Sequence, residues 1–236
     1  MDGQLNDKDI KQLAGEHSTR LDFWAAFLNW IGARAMAELG VWEGDYARAM
    51  LERCPAIERY FLIDPWRQLP SWNKPFNLSD SHFAGVFAKA KAAVANAGEK
   101  AVFLRGTTTE VIDEIADGSL DFAYIDGDHT LRGVSIDLIC VWSKLRVGGW
   151  LGGDDLTRSI WQHGGRYEPS LVFPFAIHFA EAMGASIYVL PRSQFVMAKQ
   201  PGRDFRLVDL AGGYGDTSLN AHLGLLTILR NRLRRR

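Results

Sequence analysis

Two short apolar runs that end in carboxylates constrain this chain more than anything else in it. They are Asp121-Phe-Ala-Tyr-Ile-Asp126-Gly-Asp-His129 and Gly149-Trp-Leu-Gly-Gly-Asp154-Asp155. Runs of four or five residues rich in Ile, Tyr, Trp and Leu read as buried strands. Between them, Arg132 to Leu145 carries Val134, Leu138, Val141, Trp142 and Leu145 at helical spacing, with a stop at Val147-Gly148-Gly149. Strand, helix, strand is a right-handed crossover, so the two strands are expected to be parallel. The carboxyl ends of such strands line the ligand crevice. Asp126, Asp128, His129, Asp154 and Asp155 therefore converge on one rim. Carboxylates this close repel one another unless a cation or ligand sits among them. Hard oxygen donors point to Mg²⁺ or Ca²⁺. An Asp after a strand also caps helices, and Asp128 can do that alone for a helix from Thr130.

Before this unit, residues 1 to about 17 are polar and read as a loose arm or a short helix. Ser18-Thr19-Arg20 opens a helix with Leu21, Phe23, Trp24, Phe27, Leu28 and Trp30 nearly covering it, ending at Gly32. That aromatic area needs a partner, either the sheet or a second subunit. Residues 1–33 thus form a helical arm. Ala35 to Gly40 is the first strand, Val41 to Gly44 a loop, and Asp45 the cap of a helix to about Arg53. A glycine turn between a strand and a helix N-terminus lets a nucleotide-like ligand approach the backbone. Tyr60-Phe-Leu-Ile-Asp64 is the second strand; an acid at its tip is placed to accept hydrogen bonds from ribose hydroxyls. Residues 67–80 are a loop long enough to be a lid, and His82 to about Ala97 is helical. Ala101 to Leu104 is a third strand that exits through Arg105-Gly106-Thr107-Thr108-Thr109, followed by a helix to Ile115. Beyond Asp155, residues 156–174 read as an active-site cover and Phe175 to Met183 as a helix. Ser186–Leu190 and Gln194–Lys199 read as a hairpin. From residue 201 to 236 the chain is an extension with an amphipathic helix over Leu219 to Leu233 and a basic tail. The helix dipole favours that tail as a solvated end over a nucleic-acid site.

The whole reads as an α/β protein: a doubly wound, mostly parallel, seven-stranded sheet with helices on both faces, formed by residues 34–200. A hydrophobic content of 47% supplies a core, and a net charge of −1 gives no pull towards nucleic acid or membrane. No run of eighteen apolar residues is present, so no membrane span is expected. The polar start lacks a signal-peptide pattern, and Cys54 and Cys140 read as free thiols, so a cytoplasmic location is expected.

Taken in order, Glu38-Leu-Gly40-Val-Trp42-Glu-Gly44, Leu62-Ile-Asp64, Gly106-Thr107-Thr108, Ile125-Asp126-Gly-Asp-His129 and Gly153-Asp154-Asp155 resemble the motifs of a class I S-adenosylmethionine-dependent methyltransferase. Within that group the chain is similar to metal-dependent small-molecule O-methyltransferases: the catechol and caffeoyl-CoA enzymes, the macrolide-sugar enzymes and cephalosporin-hydroxylase-like proteins. The resemblance implies S-adenosylmethionine and Mg²⁺, or another divalent cation, as cofactors. It places the amino-acid part of the cofactor at Glu38, Gly40 and Gly44, with Trp42 alongside, the ribose at Asp64 and the adenine at Thr107 and Thr108. Asp126 borders both cofactor and metal; Asp126, Asp154 and Asp155 match the metal triad, and His129 falls at the base position. The catechol-type enzymes carry Lys at that base position and Asn as third ligand. The expected reaction is methyl transfer to a hydroxyl of a sugar or natural-product type molecule, Mg²⁺-assisted, with His129 as base. The alternatives are a metal-free methyltransferase and, on a similar sheet, an NAD-dependent oxidoreductase; the latter lacks its Gly-x-Gly-x-x-Gly. The aromatic helix and the apolar C-terminal helix point to a homodimer.

Overall fold

The structure, a computed structural model, describes residues 7–200, 202 and 204–214. Two helices, α1 (Asp7–Glu16) and α2 (Arg20–Ile31), precede the first strand, β1 (Ala35–Leu39). There follow α3 (Asp45–Arg53), β2 (Arg59–Asp64), α4 (Asp80–Ala93), β3 (Ala101–Arg105), α5 (Thr108–Val111), β4 (Leu120–Ile125), α6 (Leu131–Lys144) and β5 (Leu145–Gly153). The chain then runs through α7 (Val172–Ala182), β6 (Ser186–Leu190), β7 (Gln194–Ala198) and β8 (Arg206–Asp209). The expected C-terminal helix and arginine tail lie outside the described residues.

Strand order is β3-β2-β1-β4-β5-β7-β6-β8. The pairs from β3 to β5 are parallel, and β7 runs antiparallel to both β5 and β6. The doubly wound α/β architecture is as expected, but among the described residues the sheet has eight strands rather than seven. The eighth, β8, pairs in parallel with β6, so the sheet continues past residue 200.

Alternation along the strands splits the core into two layers. Met36, Tyr60, Leu62, Phe122, Tyr124 and Trp150 face α1 to α4. Ala37, Leu39, Phe61, Ile63, Ala123, Ile125 and Leu151 face α5 to α7. With both faces covered, the strands read as continuous apolar runs. The aromatic face of α2 finds its partner here. The Trp24 ring centroid lies 5.3 Å from Phe122 and 5.2 Å from Tyr124, and Phe27 lies 5.4 Å from Trp150. Phe23, Trp24, Phe27 and Leu28 are buried within one chain, each contributing roughly 1.5–3 kcal/mol. This removes the aromatic helix as an argument for a second subunit. Gly152 is a consequence of the same packing, because a Cβ there would sit 2.3 Å from the Trp24 ring.

Three local expectations change. Asp45 is not the cap of α3: Gly44, at φ 84°, holds that position without a side-chain hydrogen bond. Val147-Gly148-Gly149 is not the stop of α6: the helix ends at Lys144, β5 starts directly after it, and a register shift beside Leu120 absorbs the glycines. Thr130, not Asp128, caps α6, its hydroxyl accepting from Gly133 N–H.

Candidate active site

The order of strands reverses between β1 and β4, and a crevice opens there outside their carboxyl ends. The β1 exit is pressed against the β4 exit. Gly40 has φ 90°, and a Cβ on it would lie 2.2 Å from the carbonyl oxygen of Asp126, so only glycine fits. The turn then enters α3 through Gly44. Beneath it Tyr46 stacks on Tyr124 at 4.2 Å, with its hydroxyl buried and without a partner. Glu38 is buried and accepts from Tyr60 Oη at 2.7 Å; burial holds its carboxyl well above the usual range. Asp64 is also buried. Its two oxygens accept from the N–H of Trp42 at 3.0 Å and of Trp66 at 2.8 Å. Burial raises its pKa against those backbone bonds. Thr107 caps α5 in a capping box with Glu110, and Thr108 turns inward.

The carboxylates meet as expected, but they do not meet alone. Arg20, at the start of α2, reaches between two of them: its Nη1 contacts Asp154 Oδ2 and lies 3.4 Å from Asp126 Oδ2. His129 lies between Asp126 and Asp155. Its Nδ1 is 2.7 Å from Asp155 Oδ2 and its Nε2 is 3.5 Å from Asp126 Oδ1. Burial opposes charge on the imidazole, but Asp126 and Asp155 outweigh it and lift the pKa to about 10. Asp155 moves the other way: burial raises it, and His129 pulls it below the usual carboxylate range. Asp154 Oδ1 accepts from Gln194 Nε2 and from the N–H of Asp155. Gln194 Oε1 in turn accepts from Trp24 Nε1 and from Tyr124 Oη, both at 2.8 Å. Among the described residues, Asp126, His129 and Asp155 place ligand-type atoms within 4.8 Å of one another.

Two loops, 65–79 and 154–171, flank this rim and are joined to it and to each other. Trp72 Nε1 donates to Asp128 Oδ1 at 2.8 Å. Lys74 is buried and donates to the carbonyl oxygens of Glu168 and Pro169 and to Ser170 Oγ. Burial lowers its pKa against the pull of Asp128, Glu168 and Asp155. Beneath the β4 exit Asp137 is fully enclosed, accepts from the Thr108 hydroxyl and is pushed up to about 7 by burial.

The structure thus brings Gly40, Trp42, Gly44, Asp64, Asp126, His129, Asp154 and Asp155 to one edge of the sheet. Glu38 and Thr108 point into the interior instead. Arg20, Gln194, Lys74 and Asp137 join the site only through the fold. Only Arg20 left a signal in the sequence, as a cation at a helix start, where the dipole disfavours one.

A family model described as a methyltransferase domain matches residues 37–156. The chain belongs to the methyltransferase-domain family. A search of curated proteins returns no match. Solved structures share the fold of this methyltransferase at low identity. A putative caffeoyl-CoA O-methyltransferase from Staphylococcus aureus superposes with a TM-score of 0.58 at 12% identity, covering 82% of this chain and 91% of that one. An O-methyltransferase from Bacillus cereus, solved in complex with S-adenosylhomocysteine, gives 0.51 at 14%, covering 84% and 82%. TomG, an O-methyltransferase from Streptomyces achromogenes involved in tomaymycin synthesis and solved with S-adenosylmethionine, gives 0.52 at 12%, covering 84% and 82%. The expected class, an S-adenosylmethionine-dependent methyltransferase on a Rossmann-like sheet, is borne out in family and fold.

Proposed function

We propose that this enzyme transfers the methyl group of S-adenosylmethionine to a hydroxyl of a small molecule. The observation that carries the reading is the Asp155–His129 pair beside Asp126, at the mouth of the crevice between β1 and β4. The crevice suits the cofactor on three counts: the close approach allowed by Gly40, the α3 N-terminus without a side-chain cap, and the buried, unpartnered Tyr46 hydroxyl. Gly40, Trp42, Gly44 and Tyr46 would hold its amino-acid part. Asp64 would take the ribose through the lone pairs its two backbone bonds leave over. Thr107, at the exit of β3, would contact the adenine. When bound, the cofactor supplies an electrophilic methyl group on a sulfonium.

The protein's part is to deprotonate and aim the acceptor. Asp155 fixes the His129 ring through Nδ1, which leaves Nε2, buried and without a hydrogen bond, to take the hydroxyl proton. Asp126 and Asp155 favour the protonated imidazole, and the positive charge of the cofactor's sulfonium, added to that of Arg20, would oppose them and favour the neutral ring. The loops 65–79 and 154–171 exclude water and would contact the acceptor. Mg²⁺ or another divalent cation at Asp126, Asp154 and Asp155 fits these residues poorly. Asp154 already accepts from Arg20, Gln194 and a backbone N–H, and Asp155 already holds His129. A cation on the Asp126, His129 and Asp155 atoms would take His129 away from proton transfer. No catalytic step is therefore assigned to a metal.

The test uses S-adenosylmethionine with a panel of sugar, phenol and polyketide alcohols, and follows formation of S-adenosylhomocysteine. His129→Asn should lower the rate by roughly 10²–10⁴-fold while leaving calorimetric S-adenosylhomocysteine affinity unchanged. Failure of the wild type to bind S-adenosylhomocysteine would sink the methyltransferase reading. An unchanged rate in the variant would remove His129 as base.

A further inference from the structure

The three rim carboxylates alternate with two basic side chains of the same chain. Arg20 stands between Asp126 and Asp154, and His129 between Asp126 and Asp155. The guanidinium is at the position where a cation shared by Asp126 and Asp154 would have to sit. We propose that Arg20 is the resident cation of this rim, a positioning residue that neutralises Asp126 and Asp154 in place of a divalent ion. The inference rests on the rim being the reaction site.

Four observations support it. First, Arg20 is the first residue of α2, where the helix dipole disfavours a cation. The attraction of the two carboxylates offsets that. Second, Gln194 faces Asp154 with its nitrogen. Its oxygen already accepts from Trp24 and Tyr124, so the amide cannot turn over without orphaning two buried donors. An amide N–H supports a carboxylate but cannot ligate a metal. Third, every proton donor on Asp154 comes from a different element: Arg20 from α2, Gln194 from β7 and the Asp155 amide from the β5 exit. The carboxylate is therefore held from three sides. Fourth, α2 cannot easily withdraw Arg20, because Phe23, Trp24, Phe27 and Leu28 anchor it to the sheet. A divalent ion would have to displace a guanidinium whose backbone is fixed.

The experiment is a titration of ion-stripped, full-length protein with Mn²⁺, read by electron paramagnetic resonance and calorimetry. Wild type, Arg20→Ala, Arg20→Met and Arg20→Ala/Asp154→Asn are compared. Wild type is expected to bind Mn²⁺ no more tightly than millimolar, and its methyl transfer to survive excess EDTA. Removing the guanidinium frees Asp126 and Asp154, so Arg20→Ala should bind one Mn²⁺ about tenfold or more tightly than wild type. The double variant should lose that gain. Arg20→Met keeps the aliphatic stem and stands in if the alanine variant does not fold, as judged by circular dichroism. Stoichiometric micromolar Mn²⁺ binding by wild type overturns the proposal without any variant. So does a folded Arg20 variant with no gain in affinity. Calorimetry with S-adenosylhomocysteine separates this from the functional reading: binding of that ligand together with micromolar Mn²⁺ overturns only the role of Arg20.

Discussion

Asp137 shows how much a single buried group can reveal about the floor of the site. Its carboxylate lies under Gly127, accepts from Thr108, and is pushed up to about 7 by burial. An acid whose folded pKa is raised binds more protons in the native state than in the unfolded one. Its stabilising effect is complete below the unfolded value near 3.8 and is lost as pH rises through about 7. Asp137→Asn keeps an acceptor for Thr108 and removes the titration. We expect this variant to be more stable than wild type by on the order of 2–4 kcal/mol at pH 8 and nearly equal to it at pH 4. Urea unfolding across that range checks it. A stability difference that does not change with pH would show that Asp137 is not the group titrating.

At the scale of elements, two contacts place the chemistry. Helix α2 brings Arg20 to the rim and Trp24 to Gln194, so one helix sets both the charge and the orientation of Asp154. The loops 65–79 and 154–171 depend on Lys74, whose ammonium satisfies two carbonyls and a hydroxyl of the partner loop. A buried lysine with all three donors engaged ties the two segments into one cover. Lys74→Met keeps the stem but leaves those acceptors unsatisfied, at a cost of about 1–3 kcal/mol. Amide hydrogen exchange should accelerate together in residues 65–79 and 154–171, with the strands unaffected. Exchange that rises in only one loop would show that Lys74 does not couple them.

For the whole molecule, the sheet and its covering helices satisfy the apolar surface that suggested a dimer. Phe23, Trp24, Phe27 and Leu28 are inside, and of the aromatic residues of α2 only Trp30 is exposed. We expect a homodimer to form through the apolar sequence at residues 219–233. Light scattering on the full chain should return about twice 26.4 kDa, and a chain ended after residue 214 should run as a monomer. A dimer that persists in the shortened chain would place the interface on the domain itself. No helix among the described residues is long and apolar enough to cross a membrane.

The sequence by itself determined the class of fold and the edge of the sheet where the site lies. Apolar runs ending in Asp64, Asp126 and Asp154 are strands because nothing else buries such runs in so few residues, and a parallel sheet puts all their tips on one side. Local pattern also located Gly40, because a strand-to-helix turn at that place demands φ > 0. Only the tertiary structure decided how the carboxylates are neutralised. Arg20 reaches Asp154 across 134 residues of chain and Gln194 reaches it across 40, and no periodicity encodes a contact between such distant positions. The sequence showed three acids in need of positive charge. Packing α2 against the sheet brought a guanidinium to them, and that burial, set by Phe23, Trp24 and Phe27, is a property of the assembled core rather than of any motif.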